Sequence, residues 1–319
     1  MSSYATLMRT RTESAFDRLH DGVDELVFTD FPDYANVGDS AIALGQAAYW
    51  ERSGIQVHET FSEQVLPRRV YSSSVPVALN GGGSLGGTYR SISEHRYRMA
   101  ERLEPDTLLI QEPQSVHFVD DKARYAFRDR MAGREHLRLA VRDEASAVAV
   151  ADEVDPILVP DAVHLLGAIS APEPVQDVLV LARTDGESAA LPPLFAVDWL
   201  TDPHDLRRFA WWSRRSRQLP MLKPLFHQEN VRWLERARRR LSHGVMMLSL
   251  GETIVTDRLH GMLLGLQMGR NVVAIDNTTG KLSAYADTWF GGLDIRLEFA
   301  DDFPTALNTA TRLSRGHRR

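Results

Sequence analysis

The stretch IVTDRLHGMLLGL, residues 254–266, sets Asp257, Arg258 and His260 within four positions between two apolar runs. A short apolar run that ends in polar residues and leads into a helix-like stretch reads as a parallel strand, its turn and the helix that follows. If residues 258–260 are extended, Arg258 and His260 project to one side and Leu259 to the other; on a helix the two would diverge by about 200°. The strand-end location favours the extended form. Gly261 then permits the turn, and the helix GMLLGLQMG begins with its free N–H groups aimed at the same place. An arginine fork, an imidazole and a helix N-terminus in one spot suit a small ligand carrying phosphate or carboxylate. His260 can also give or take a proton near neutral pH. The competing arrangement is a salt bridge from Arg258 to Asp257 with His260 satisfied in the core.

The same unit recurs along the chain. Apolar runs ending in polar or glycine-rich turns lie at 25–31, 75–80, 107–112, 137–143 and 156–161, with helical spacing at 40–52 and 91–103 between them. After GAISAPEPVQD (167–177), which reads as a linker, a second series occupies 177–183, 194–200, 252–257 and 271–276. Strands alternating with helices imply an α/β fold with parallel sheets in two halves. The expected domains are residues 1–168 and 177–319, with the last helix packing back on the first domain. At 319 residues the chain exceeds the roughly 250–300 at which a single core stops growing.

Composition excludes several chemistries. With 43% hydrophobic and 25% charged residues the chain is an ordinary globular protein, and the absence of cysteine removes thiolate nucleophiles and cysteine-based zinc sites. A net charge of −6 gives no general pull toward nucleic acid. The opening stretch lacks the uninterrupted apolar segment of a signal peptide, so a cytoplasmic location is expected. The histidines are scattered without metal-ligand spacing, so no metal site is expected, and no GxSxG elbow anchors serine hydrolysis.

In open α/β sheets ligands sit beyond the carboxyl ends of strands, which selects Asn36, Gly38 and Asp39, the loop Asn80–Gly87, Glu112, Gln114 and Ser115, Arg142 and Asp143, and Asp161. The loop NGGGSLGG contains GxGxxG at Gly81, Gly83 and Gly86, but it follows the second strand rather than the first, so a backbone surface for an anion or a sugar, or simply a tight turn, is the broader reading. Asp39 or Ser40 occupies an N-cap position before an amphipathic helix. Beyond the strand at 271–276, Lys281 is either a second cation at the site or the first turn of a solvated helix. Residues 207–240 interleave basic side chains with Phe209, Trp211, Trp212 and Trp233. That pattern fits either a solvated helix face or peripheral contact with an anionic bilayer.

Taken in order, NVGDSAI, LNGGGSLGG, QEPQSVHF, VRDEAS, VPDAVH, TDRLHG and AIDNTTGKLSAY resemble the polysaccharide pyruvyl transferase family from about residue 25 to about residue 290. The resemblance implies two Rossmann-like α/β domains facing a cleft, similar to GT-B glycosyltransferases. It implies transfer of a pyruvyl group from phosphoenolpyruvate, a co-substrate rather than a resident cofactor, to sugar hydroxyls as a ketal. Arg258 and His260 match the family's catalytic donor-site residues, and Arg183 matches a donor-holding arginine; Lys281 and the helix starting at Gly261 would add positive charge. Asn36, Asp39, Gly82, Gly83, Ser84 and Gln114 would face the acceptor, a precursor of exopolysaccharide or cell-surface glycan. A lipid-linked oligosaccharide at the inner face of the membrane fits that role. The alternatives are a nucleotide-sugar glycosyltransferase of the same fold and a non-catalytic binder of acidic sugars. Acceptor identity and oligomeric state are not encoded in any motif.

Overall fold

The computed structural model describes residues 4–185, 187–188, 191–207, 221 and 230–316. The first sheet has seven strands: β1 (Glu25–Thr29), β2 (Gln56–Thr60), β3 (Val77–Leu79), β4 (Gly82–Leu85), β5 (Leu109–Val116), β6 (Leu137–Val141) and β7 (Ile157–Leu158). Their order is β2-β1-β3-β5-β6-β7, with β4 also paired to β5, and every pairing is parallel. Its helices are α1 (Tyr4–Leu19), α2 (Val37–Ser53), α3 (Arg90–Arg102), α4 (Asp121–Phe127) and α5 (Glu144–Val150). Helices on both faces leave β3 and β5 buried throughout; β3 is apolar to match, whereas β5 buries Gln111, Glu112, Gln114 and Ser115 among its eight residues.

The second sheet is smaller: β8 (Gln176–Leu181), β9 (Gly251–Thr256), β10 (Asn271–Ile275) and β11 (Leu297–Ala300), in the order β11-β10-β9-β8 and again all parallel. With it lie α6 (Asn230–Ser249), α7 (Leu259–Gln267), α8 (Lys281–Trp289) and α9 (Phe303–Gly316). Residues 168–175 form no helix or strand, as their Pro and Ser content implies.

Several expectations fail for physical reasons. The run 194–200 is not a strand. It contributes one isolated bridge, Val197 to Leu181, and leaves Leu194 and Phe195 exposed while Trp199 is buried. Strands β2 and β11 were not expected, since edge strands need little apolar sequence and these two alternate or stay half-exposed. The last helix does not return to the first half: Phe303, Ala306 and Ala310 of α9 pack on Val180, Val255 and Val273 of the second sheet. Crossing comes instead from α1, whose Met8 joins the core of the second half, and from α6, whose Trp233 and Ala237 join the core of the first.

In the first sheet the chain leaves β1 outward to β2 and returns to β3 on the other side of β1, so the strand order reverses there. The carboxyl ends of β1 and β3 therefore open onto a crevice. The carboxyl ends of β8, β9 and β10 close it from the other side.

Candidate active site

The crevice is a cavity of about 340 Å³, lined from the first half by Asp30, Asn36, Asp39, Gly81, Gly83 and Arg142 and from the second by Arg183, Arg258, His260, Asn277 and Lys281. Its size and its position between two sheets match small-molecule sites in general.

The second-half wall gathers Arg183, Arg258 and Lys281 with the carboxylates of Asp185 and Glu187. β9 ends at Thr256, and the Asp257 carboxylate accepts the Arg183 backbone N–H at 2.8 Å, tying the ends of β8 and β9 together. Arg258 has extended backbone (φ −103°, ψ 123°) and precedes α7, which begins at Leu259. His260 therefore sits in the first helical turn, not on an extended segment, and the two side chains reach the cavity from a strand end and a helix start. Gly261 is not the turn. A Cβ there would lie 2.6 Å from Thr256 Oγ1 and 2.8 Å from Leu181 Cδ2, so its glycine lets α7 lie close on the sheet, and it is not among the cavity-lining residues.

Each cation is met by a carboxylate. Arg258 donates to Asp198 at 2.7 Å, with Asp185 at 3.7 Å, and does not pair with Asp257. Its buried Nε has no partner among the described residues. The Arg183 guanidinium binds Asp185 at 2.8 and 2.9 Å and Glu187 at 2.9 Å. Lys281 is buried at the start of α8, not solvated: its Nζ donates to Glu187 and to the Gly83 carbonyl, both at 3.0 Å. Burial pulls the Lys281 ammonium below the ordinary lysine range, against the opposing pull of Glu187.

Asp161 joins the two halves. Its Oδ2 accepts from Arg142 at 2.7 Å and lies 3.2 Å from His260 Nε2. Burial works to raise this carboxyl, but the His260 contact and Arg142 outweigh it and hold it well below the usual carboxylate range. Arg142 is fixed in turn by the Ser115 hydroxyl, which donates to Asp143 at 2.6 Å.

On the first-half wall the cap of α2 is Asn36, which accepts from Gly38 N–H at 3.0 Å; neither Asp39 nor Ser40 takes that place. Asp39 faces the cavity and accepts from Tyr34 at 2.8 Å and Asn36 at 2.7 Å. The glycine loop is strand β4 over Gly82–Leu85, followed by a turn at Gly86–Thr88 that leads into α3. A Cβ at Gly86 would collide with the His117 carbonyl at 2.1 Å and one at Gly83 would lie 2.7 Å from Arg142 Nη2, so close approach accounts for these glycines. Gly82 and Gln114 are absent from the cavity lining; Gln114 is buried and bonds the Asn80 carbonyl at 3.4 Å. The Ser84 side chain lies outside the described residues, as do Arg208, Phe209, Trp211 and Trp212 of the Arg/Trp segment. The described part of that segment turns partly inward, with Trp233 packed on Phe31 at 5.1 Å and Arg236 and Arg240 ion-paired with Asp33.

These two walls and the order of their motifs agree with a direct match: the model of the family described as polysaccharide pyruvyl transferase aligns with residues 36–279. The chain belongs to the polysaccharide pyruvyl transferase family. Relatives of this chain include the putative pyruvyl transferase EpsO of Bacillus subtilis, 25% identical over 289 residues, or 84% of this chain and 86% of the relative. Pyruvyl transferase 1 of Schizosaccharomyces pombe is 25% identical over 300 residues, covering 85% and 71% of the two chains. General stress protein 30 of Bacillus subtilis is 24% identical over 285 residues, covering 85% and 79%. The fold is shared with the crystal structure of an uncharacterized protein of Klebsiella pneumoniae (TM-score 0.63, 15% identity, 92% of this chain and 99% of that one). Lys281 lies two residues beyond the span the family model matches, yet geometry places it in the same cavity.

Sequence reasoning passed over Asp30, Tyr34, Tyr89, Arg96, Asp185, Glu187, Asp198 and Trp199, all of which line the cavity or hold residues that do. The strand-end rule applied to β1 finds Asp30. Arg96 sits mid-helix among other charges and carries no comparable signal.

Proposed function

We propose that this pyruvyl transferase uses phosphoenolpyruvate as donor and forms a pyruvate ketal on a sugar of an exopolysaccharide or cell-surface glycan precursor. The observation that carries this reading is the grouping of Arg183, Arg258 and Lys281, with Arg142 behind His260, on one side of a single small cavity. Phosphoenolpyruvate bears a phosphate and a carboxylate on one short frame, and only closely spaced cationic groups can hold both. In the arrangement proposed, a GT-B-like pair of domains (1–168 and 177–319) faces this cleft. The second domain binds the donor through Arg183, Arg258, His260, Lys281 and the start of α7, and the first presents Asn36, Asp39 and Gly83 to the acceptor.

The chemistry needs a proton at the methylene carbon, loss of a proton from the attacking hydroxyl, and departure of phosphate through an oxocarbenium-like state. His260, oriented by Asp161, serves as the acid or as a ligand of the leaving phosphate, and Arg258 stabilises the charge that develops there. A lipid-linked acceptor at the cytoplasmic membrane face fits the proposal, with the Arg/Trp segment 207–240 as the contact; among the described residues no helix is long and apolar enough to cross a membrane. The test is incubation with phosphoenolpyruvate and glycan acceptors, reading phosphate release coupled to an acid-labile pyruvyl adduct. Turnover of a nucleotide sugar without phosphate release from phosphoenolpyruvate would replace this reading with a glycosyltransferase.

A further inference from the structure

Asp30 directly follows β1 with φ +62°, the left-handed region that side-chain-bearing residues rarely occupy, and among the described residues it is the one non-glycine residue there. An off-pattern backbone at a strand end is a pointer to function when the side chain it re-aims meets a cavity. Here it meets two. Asp30 lines the central cavity and also an adjoining pocket of about 160 Å³ that contains Asp33, Glu63, Gln64 and Ser91. A pocket of carboxylate, amide and hydroxyl groups beside Tyr34 is suited to sugar hydroxyls.

The charged groups facing Asp30 come from three elements. Arg96 of α3 pairs with it at 3.1 Å; Glu63, itself bound to Arg98, faces it from the turn 63–65; Asp39 and Tyr34 face it from the start of α2 and the loop before. Burial raises the Asp30 carboxyl to about 7, with Arg96 opposing and Glu63 and Asp39 adding to the rise. Asp39 is differently placed, since Tyr34 and Asn36 both donate to its Oδ2. His260 is engaged with Asp161 on the opposite wall.

We propose that Asp30 is the catalytic base for the acceptor: a sugar entering through the side pocket gives its hydroxyl proton to the Asp30 carboxylate as its oxygen attacks the donor. The proposal rests on the pyruvyl-transfer reading above. In the step, the hydroxyl oxygen bonds to C2 of phosphoenolpyruvate, the double-bond electron pair takes at C3 a proton given by His260, which recovers one from solvent, and the hydroxyl proton moves to Asp30. Breaking the C2–O bond expels phosphate. A second hydroxyl of the same sugar then closes the ketal at C2, its proton leaving with the phosphate, and Asp30 returns its own proton to solvent. Arg96 is a positioning residue that fixes the Asp30 rotamer.

Two variants keep the backbone conformation, because Asn and Gly both tolerate φ near +60°, and a urea midpoint is read for each beside activity, since both take the Asp30 carboxylate away from buried Arg96. Asp30→Asn and Asp30→Gly in the full chain are compared with wild type for phosphate release from phosphoenolpyruvate with a panel of methyl pyranosides, across pH 5–9. Phosphoenolpyruvate binding is measured separately by calorimetry. Expected is a loss of about 100-fold or more in kcat, donor Kd within about threefold of wild type, and loss in both variants of the acid limb that wild type shows near pH 7. Wild-type turnover with kcat of both variants within about fivefold overturns the role of Asp30 alone, as does a fall in kcat matched by an equal rise in donor Kd. Absence of phosphate release from wild type overturns the pyruvyl-transfer reading and this role with it.

Discussion

His260 Nε2 lies 3.2 Å from Asp161 Oδ2, although the two residues are 99 positions apart and belong to the ends of different sheets. Because Arg142 shares that same oxygen, Asp161 holds both groups at once in an interior where unpaired charge is costly. Asp161→Asn is expected to cost about 3–5 kcal/mol of stability at pH 7, the usual penalty for breaking a buried ion pair from one side. The carboxyl is held below its ordinary value in the folded state, so its stabilisation is complete above the unfolded value near 4 and is lost as pH falls through the folded one. Urea midpoints of the two proteins should therefore converge as pH drops below about 4. A gap that stays constant from pH 7 to pH 3 would count against this.

Gly38 packs directly on the His260 ring: a Cβ at this position would lie 2.4 Å from Nδ1 and 2.8 Å from Cγ. Gly38→Ala is favourable to the helix itself, by about 1 kcal/mol, so any loss comes from displacing the imidazole. Turnover should fall tenfold or more while the melting temperature changes by only a few degrees. A variant with wild-type kcat would show that the ring position is unimportant.

Asp185 occupies the place where an anionic ligand would bridge Arg183 and Arg258, at 2.8 and 3.7 Å from the two guanidinium groups. Burial works against its charge, yet the Arg183 hydrogen bond and the two arginines hold the carboxyl below its ordinary range, so it is ionised at neutral pH. A bound phosphate or carboxylate would face that charge. Asp185→Asn should lower KM for phosphoenolpyruvate about three- to tenfold, a change of roughly 1 kcal/mol for one removed like charge near a partly exposed site. A raised KM would mean instead that Asp185 holds Arg183 in its binding position.

How far the sequence led can be judged residue by residue. The ends of β1, β3, β6, β9 and β10 were legible because buried parallel strands are short apolar runs that stop at polar residues. The strand-end rule accordingly selects Arg142, Asp161 and Arg258 from sequence alone. Arg258 and His260 were paired on the premise of an extended segment, yet α7 begins at Leu259 and the pair still meets, because a strand end and the first turn of its helix open onto one crevice. What stayed hidden depends on contacts between distant segments. Trp233 reads as part of a basic-aromatic surface, and only the packing of α6 against Phe31 turns it inward. Local periodicity likewise carries no sign of where α9 docks, since an amphipathic helix states that it must bury a face and not against what.

The crossing of α6 onto the first half offers a last measurement. Arg236 donates to Asp33 at 2.9 Å and Arg240 lies 3.5 Å from the same oxygen, while Arg240 also donates to Asp202 at 2.7 Å. All four side chains are buried, and Arg236 lies 4.3 Å over the Trp233 ring. Asp33 follows β1 by a few residues, so this network fixes the loop that carries Asp30, Tyr34 and Asn36 to the helix that reaches across from the second half. Replacing Asp33 by Ala removes the shared carboxylate and should destabilise the protein by about 3–5 kcal/mol. The exposed pair of Arg239 with Glu235 on the same helix gives the contrast: its charges stay solvated, so Arg239→Ala should leave the unfolding midpoint nearly unchanged. Denaturant titrations of the two variants decide the matter. Equal midpoints for both would mean that the Asp33 network contributes no more than a surface ion pair, and that α6 is held to the first half by the Trp233 and Ala237 contacts alone.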